Sequence, residues 1–231
     1  MAIALVQNRT AQGGYVDSFT LAYSSDVTAN NLLTVCGGAW NGSDISSIPH
    51  TDSVSTSYTT ILGTATGATP IKPWIAYGIA ASSGANTITI DPNGVGRAAS
   101  YTIAEWSGID TTTPLDVNGG NSTGSSTTPS DGITTSAADT VVLGVVVHGH
   151  GGDIAITPDT GGGWTQLGEI ESVSLAPHNA QYQIFSSAGA KTASWTIGAS
   201  QSWCAQTSSF KMASAGGGGT VHRVLMLGIG I

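Results

Sequence analysis

Apolar and polar side chains alternate with a period of two along most of this chain, in short runs that end at Gly, Pro, Asn or Asp. That is the pattern of half-buried β-strands. Residues 2–7, 18–23, 31–40, 58–62, 72–81, 86–90 and 97–106 read as strands in the first part of the chain. Residues 139–148, 164–169, 181–186, 191–197 and 200–211 read as strands in the second, with 139–148 the most apolar and therefore central. Asn41-Gly42 and Asp91-Pro92-Asn93-Gly94 are the clearest turns, since Pro presets one torsion and Gly admits a positive one. No window carries a helical period. Many short strands at this spacing predict an all-β fold, a two-sheet jelly-roll β-sandwich.

The two parts can be laid over one another at an offset of about 105 residues, which points to an internal pseudo-repeat. Asn30-Asn31-Leu32-Leu33 then faces Asp139-Thr140-Val141-Val142, and Leu62-Gly63 faces Leu167-Gly168. Tyr77 and Ile79 face Tyr182 and Ile184, and Trp106 faces Phe210. These matches predict one sandwich over residues 1–212, its halves at 18–110 and 137–211 forming two related layers. Residues 111–136 are rich in Thr, Ser, Gly and Pro and carry almost no apolar side chain after Val117. Such a segment buries little surface of its own, so it is expected to cross over the exterior between the halves.

Composition narrows the partners. Only 9% of residues are charged, and 6 Lys and Arg stand against 14 Asp and Glu, a formal charge of −8. That balance repels a phosphate backbone, so no nucleic-acid partner is expected. No apolar run is long enough to span a membrane, and the apolar start is too short for a signal peptide, which predicts a soluble chain made in a cytoplasm. Cys36 and Cys204 both fall on expected strands and read either as inert core thiols or as a disulfide between strands.

The end of the chain differs from the rest. Residues 213–220 read as a Gly-rich linker, and residues 221–231 gather Val221, Val224, Leu225, Met226, Leu227, Ile229 and Ile231 into one apolar segment. Left in water it would be an aggregation site. Two readings stand: a last strand on its own sheet, or a docking strand added to a neighbouring subunit by β-augmentation.

Candidate chemistry is sparse. Gly120-Asn121-Ser122-Thr123-Gly124 has the spelling of a hydrolase elbow but lies in a Ser/Thr-rich stretch without the following helix that the motif needs. Gly94 to Ala99 spells a dinucleotide fingerprint, yet a strand follows it, so no helix terminus would meet a pyrophosphate. His148 and His150, two residues apart with Asp153 nearby, form a candidate divalent-metal site, against the alternative of a solvated loop tip. Glu169 and Glu171 share a strand face, as exposed surface residues do, and no carboxylate pair stands out for acid–base catalysis. Of six tryptophans most alternate with polar neighbours and read as core. Trp40 and Trp164, next to turns, are the candidates for stacking on sugar rings.

The segments A-N-N-L-L-T-V, S-G-A-N-T-I-T-I, A-E-W-S-G-I-D-T-T-T-P-L-D-V, A-A-D-T-V-V-L-G-V, G-W-T and T-S-S-F-K together resemble a widespread β-sandwich domain of phage structural proteins and bacterial surface proteins. The resemblance covers residues 18–211, and E-W-S-G…P-L-D-V is its most specific part. It implies a lectin-like jelly roll displayed on virion or cell exteriors, with no established enzymatic activity, cofactor or defined binding residue. Secreted members carry signal peptides and extra modules, neither of which is expected here, and that favours the phage side. The expectation is a non-enzymatic virion subunit, a head decoration or tail accessory protein assembled in the host cytoplasm. Its expected partners are other virion proteins and copies of itself, in a trimer; the rival is a module that binds surface glycans.

Overall fold

The computed structural model describes residues 2–40, 45–64, 71–91, 97–149, 154–171 and 176–214. They form sixteen strands: β1 (Ala4–Val16), β2 (Phe19–Ala22), β3 (Leu32–Trp40), β4 (His50–Asp52), β5 (Thr59–Leu62), β6 (Ile71–Ile79), β7 (Thr87–Ile90), β8 (Arg97–Ser107), β9 (Leu115–Ser126), β10 (Ser130–Thr135), β11 (Thr140–His148), β12 (Ile156–Pro158), β13 (Thr165–Ile170), β14 (His178–Phe185), β15 (Gly189–Ile197) and β16 (Gln201–Lys211). Among the described residues the only helical turn is a 3-10 turn at Thr160–Gly162. The all-β expectation is met, and all strand pairs are antiparallel.

The strand order reveals a true duplication. The first eight strands make a five-stranded sheet β1-β8-β3-β6-β5 and a three-stranded sheet β2-β7-β4; the second eight make β9-β16-β11-β14-β13 and β10-β15-β12. Adding eight to each label of the first set reproduces the second. Within each lobe the first strand pairs with the eighth, the second with the seventh and the third with the sixth, the nesting of a long hairpin rolled into two sheets. Each lobe closes its own core between its large and small sheets. Leu33, Val35, Tyr101, Ile103, Ile88 and Ile90 fill the first; Val142, Val146, Trp164, Trp195, Ile197 and Trp203 fill the second.

The β-sandwich character holds, but the strands group into four sheets, two of five strands and two of three, where the sequence predicts two. The segment expected as an exterior crossover is the start of the second lobe, β9 and β10, and residues 1–17 contribute its counterpart, β1. What joins the lobes is short, from Gly108 to Pro114. The boundary at residue 213, the linker and the apolar segment 221–231 lie beside or outside the described residues, which end at Ser214.

The outer faces of the two five-stranded sheets pack on one another through a third core. Leu32, Cys36, Ile75, Ala104 and Trp106 from the first lobe meet Val141, Leu143, Val145, Leu167 and Phe210 from the second. This explains why β3 and β11 are apolar almost throughout: each strand sends alternate side chains into its own lobe and into the space between lobes.

Strand register defines the equivalences. Leu32 lies between Ile79 and Trp106, and Val141 lies between Ile184 and Phe210, so the matches at Leu32, Ile79 and Trp106 are register-true, whereas Leu62 falls opposite Trp74 and Leu167 falls on the bulge of β13, so that match is not. Asn30 and Asp139, at equivalent sites before the third strand, both adopt positive φ, 68° and 51°.

The same equivalences show the lobes related by a pseudo-dyad. Trp106 meets Tyr182 edge-on at 5.0 Å, and its counterpart Phe210 meets Tyr77 edge-on at 5.1 Å. Ser100 Oγ donates to the carbonyl of Ala176, while its counterpart Cys204 donates to that of Ile71 at 3.6 Å. A Cβ on Gly168 would strike Thr10 and Thr102, and one on Gly63 would strike Asn121. Both glycines are needed because β13 runs close against β1 and β8 of the first lobe, and residue 63, just past β5, comes close to Asn121 on β9. Gly168→Val should wedge the lobes apart and cost about 1–3 kcal/mol, the range for overpacking a tight contact. A urea midpoint unchanged from the parent protein would contradict that packing.

Candidate functional site

The motif stretch around Glu105 forms the junction of the lobes. Glu105 is fully buried and accepts three hydrogen bonds, from Gln7 Nε2 at 2.7 Å, the Thr28 amide at 2.8 Å and Asn31 Nδ2 at 2.7 Å. It thereby ties β1 and β8 to the loop that precedes β3. Trp106 Nε1 donates to Thr34 Oγ1 at 2.9 Å. Asp110 then turns the chain, accepting from the amides of Thr112 at 2.8 Å and Thr113 at 3.1 Å, and these bonds hold its carboxyl below the usual range. Ile109 bridges to Met212, so the exits of the two lobes lie side by side.

The second lobe solves the same loop problem with a different residue. Asp116 accepts from the amides of Ser136 at 3.0 Å and Ala137 at 3.1 Å, from the Ser136 hydroxyl, and from Ser209 Oγ at 3.1 Å. Ala137 is the counterpart of Thr28, and Ser209 that of Glu105. The carboxylate has moved from the eighth strand to the first, and its neutral partner has moved the other way. The counterpart of Asp116 itself is Val6, on the matching bulge of β1.

Other buried polar groups are also engaged. Asp131 occupies the inward position that Leu21 holds in the first lobe and accepts from Ser122 Oγ at 2.7 Å and Thr207 Oγ1 at 2.8 Å. Burial opposes ionisation of Asp52, yet bonds from Thr56, Asn86 and Tyr58 outweigh it and hold the carboxyl below its ordinary value. Between the lobes, His178 Nδ1 lies 2.7 Å from Ser100 Oγ and Nε2 lies 3.0 Å from Thr102 Oγ1. Because Ser100 gives its proton to Ala176, Nδ1 must be the donor to Ser100 and Nε2 the acceptor from Thr102. The direction is opposite to that of a histidine activating a serine, and both groups are fully buried.

The residues singled out from sequence fare unevenly. His148 is buried at the end of β11, its Nδ1 2.8 Å from the Gly149 carbonyl; His150 and Asp153 lie outside the described residues, so the structure does not unite the three. Among the described residues no group of three His, Cys, Asp or Glu side chains is placed to hold a metal. Trp164 does not offer a sugar-stacking face: it is 4% exposed, donates from Nε1 to the Thr192 carbonyl at 3.0 Å and meets Phe185 edge-on. A ring beside a turn is expected at the surface, but here it caps the second core. Trp40 is half-buried against Ile71, Val147, Ala176 and Cys204. Cys36 and Cys204 are both buried and not joined, and burial pushes the Cys36 thiol up to about 12. Gly120 to Gly124 lie within β9. Burial raises the Glu169 carboxyl above its usual range, and neighbouring Glu171 adds to this; Glu169 also accepts from Gln166 Nε2 at 2.8 Å.

Two surface depressions are lined by described residues. One, of about 490 Å³, lies over the small sheet of the second lobe and is walled by Thr128, Ser130, Asp159, Thr160, Ser194 and Thr196. The other, of about 570 Å³, is mostly apolar and lies at the lobe junction between Val6, Asn30, Asn31, Ile109 and Ala213. Among the described residues no helix is long and apolar enough to cross a membrane. Comparison with protein-family models and with curated proteins finds no match.

Two measurements check these assignments. Glu105→Gln places an amide against three donors and should cost about 2–3 kcal/mol, the scale of lost bonds to a buried charge; a loss under 0.5 kcal/mol would show that the carboxylate does not hold the loop. Burial lowers the pKa of His178 to about 3 and of His50 to about 4. Both are neutral in the folded protein and take up a proton on unfolding below about 6.5. Their contribution is thus complete above that value and is lost as pH falls toward 4, by about 1.4 kcal/mol per pH unit per histidine. Thermal melts should show that slope, shallower in His178→Gln, and a flat profile from pH 6.5 to 4 would refute it.

Proposed function

We infer that this chain is a phage virion structural protein, a head decoration or tail accessory subunit that docks on its neighbours through residues 221–231. What supports this reading is the use made of the stretch that resembles a motif of virion and surface proteins. Glu105, Trp106, Asp110 and Asp116 all serve to hold loops and join lobes. The most specific part of the resemblance is architectural, as suits a coat protein whose work is to stay rigid and be bound. Low charge and dense sheet support the same role, and the last described residues, up to Ser214, lie at the junction. The partners on this reading are other virion proteins and further copies of the chain, assembled in the host cytoplasm.

A carbohydrate-binding role is the second reading, favoured by the hydroxyl-walled depression over the second lobe. The hydroxyls and the Asp159 carboxylate there are suited to a sugar's donors and acceptors, although Asp159 already takes Ser194 Oγ at 2.9 Å. Co-sedimentation with purified phage particles separates the two. A chain ending at Ser214 should stay folded and lose particle binding at least tenfold, while a glycan array stays blank for both chains. Undiminished particle binding by the shortened chain would overturn the docking role, and saturable glycan binding lost in Thr160→Tyr would establish the rival.

A further inference from the structure

The apolar depression at the lobe junction differs from its counterpart by pseudo-symmetry in one decisive way. In the second lobe the bulged residue of the first strand is Asp116, whose carboxylate closes onto the loop at Ser136 and Ala137. In the first lobe the same position holds Val6, which is 48% exposed, because Glu105 reaches the loop from β8 instead. A cleft that one lobe fills with its own carboxylate is left open and apolar in the other. It is also where the described chain leaves the fold: Ala213 lines the cleft and its amide donates to the Gly108 carbonyl at 2.9 Å.

We propose that this cleft, lined by Val6, Asn30, Asn31, Ile109 and Ala213, is the resting site of the chain's own apolar segment Val221–Ile231. The reading deepens the proposed docking function and rests on it: the segment that binds a neighbour in the particle is held on its own molecule until then. The segment begins eight positions after Ala213, and the seven residues 214–220 reach up to roughly 25 Å when extended, enough to turn back onto the cleft. A tether of that length gives an effective concentration on the order of millimolar, far above that of any second molecule in dilute solution. Intramolecular capture therefore outcompetes exchange until many neighbours are presented together. The occupant matches the cleft chemically, apolar side chains against Val6 and Ile109, with Asn30 and Asn31 at the rim for backbone groups.

Arg223 supplies the probe, since it is the only Lys or Arg after Lys211. Tryptic cleavage at Arg223, followed by mass spectrometry on the full chain, should be at least tenfold slower than in a free peptide of residues 215–231, at a rate independent of protein concentration. Val6→Asp copies the residue natural to the other lobe, at an exposed position, and should bring cleavage to within about twofold of the peptide while the thermal melt is unchanged. If Val6→Asp melts differently, titrating the peptide into a chain ending at Ser214 gives the second test, with shifts expected in the amide resonances of Asn30, Asn31 and Ile109. Cleavage of the full chain at the peptide's rate, protection that grows with protein concentration, or shifts confined to other surfaces would each overturn the proposal. Particle binding reads the two ideas apart: a Val6→Asp chain that still co-sediments while wild-type Arg223 is unprotected removes the resting site and leaves the docking role standing.

Discussion

The structure depends on the burial of two five-stranded sheets against each other. Each lobe is a sandwich whose large sheet has a second apolar face, and that face has no place in water; Leu32, Trp106, Val141, Leu143 and Phe210 would otherwise be exposed together. Closing the lobes back to back covers it and leaves β3 and β11 with no solvent-facing side. The edge-on pairs of Trp106 with Tyr182 and Phe210 with Tyr77 add about 0.5–1.5 kcal/mol each beyond the area they bury. Gly63 and Gly168 permit the approach at either end of the interface.

Around that constraint the lobes have diverged in their polar parts more than in their packing. The loop before the third strand is captured by a carboxylate in both, fully buried Glu105 in the first lobe and half-buried Asp116 in the second, from opposite strands. Asp131 stands in one core where Leu21 stands in the other, and remains tolerable because two hydroxyls reach it. Ser100 feeds a chain through His178, Thr102 and Thr10 on one side of the pseudo-dyad, whereas Cys204 makes a weaker bond on the other. Such exchanges preserve the fold because each buried polar atom that moves takes its partner with it. The exchange at Val6 and Asp116 alone leaves a surface consequence, an apolar cleft in the first lobe where the chain departs.

Much of this was legible in the residues. Strand period, turn dipeptides and the paired matches at Leu32, Tyr77 and Trp106 identified the all-β class and a repeat in correct register. The number of layers was missed, although the signal was present: an unbroken apolar run such as 141–147 marks a strand covered on both faces, which a lone two-layer sandwich with a solvated outer face does not require. Residues 115–135 were missed for the opposite reason. β9 is an edge strand, and two inward positions of β10 are Asp131 and Thr135, so polarity signalled surface where hydrogen bonding had replaced hydrophobic burial. Trp164 misled because proximity to a turn says little about which way a large ring points. The carboxylate at Glu105 was visible in the motif, but its role as a three-bond acceptor depends on Gln7 and Asn31, remote in sequence and united only by the fold.

The most direct test of the account is scanning calorimetry of the intact chain near neutral pH. If the face between the lobes is an obligatory core, both lobes melt in one transition whose calorimetric and van't Hoff enthalpies agree. Two resolved transitions, each carrying about half the enthalpy, would show two self-sufficient sandwiches in contact and would contradict the account at its foundation.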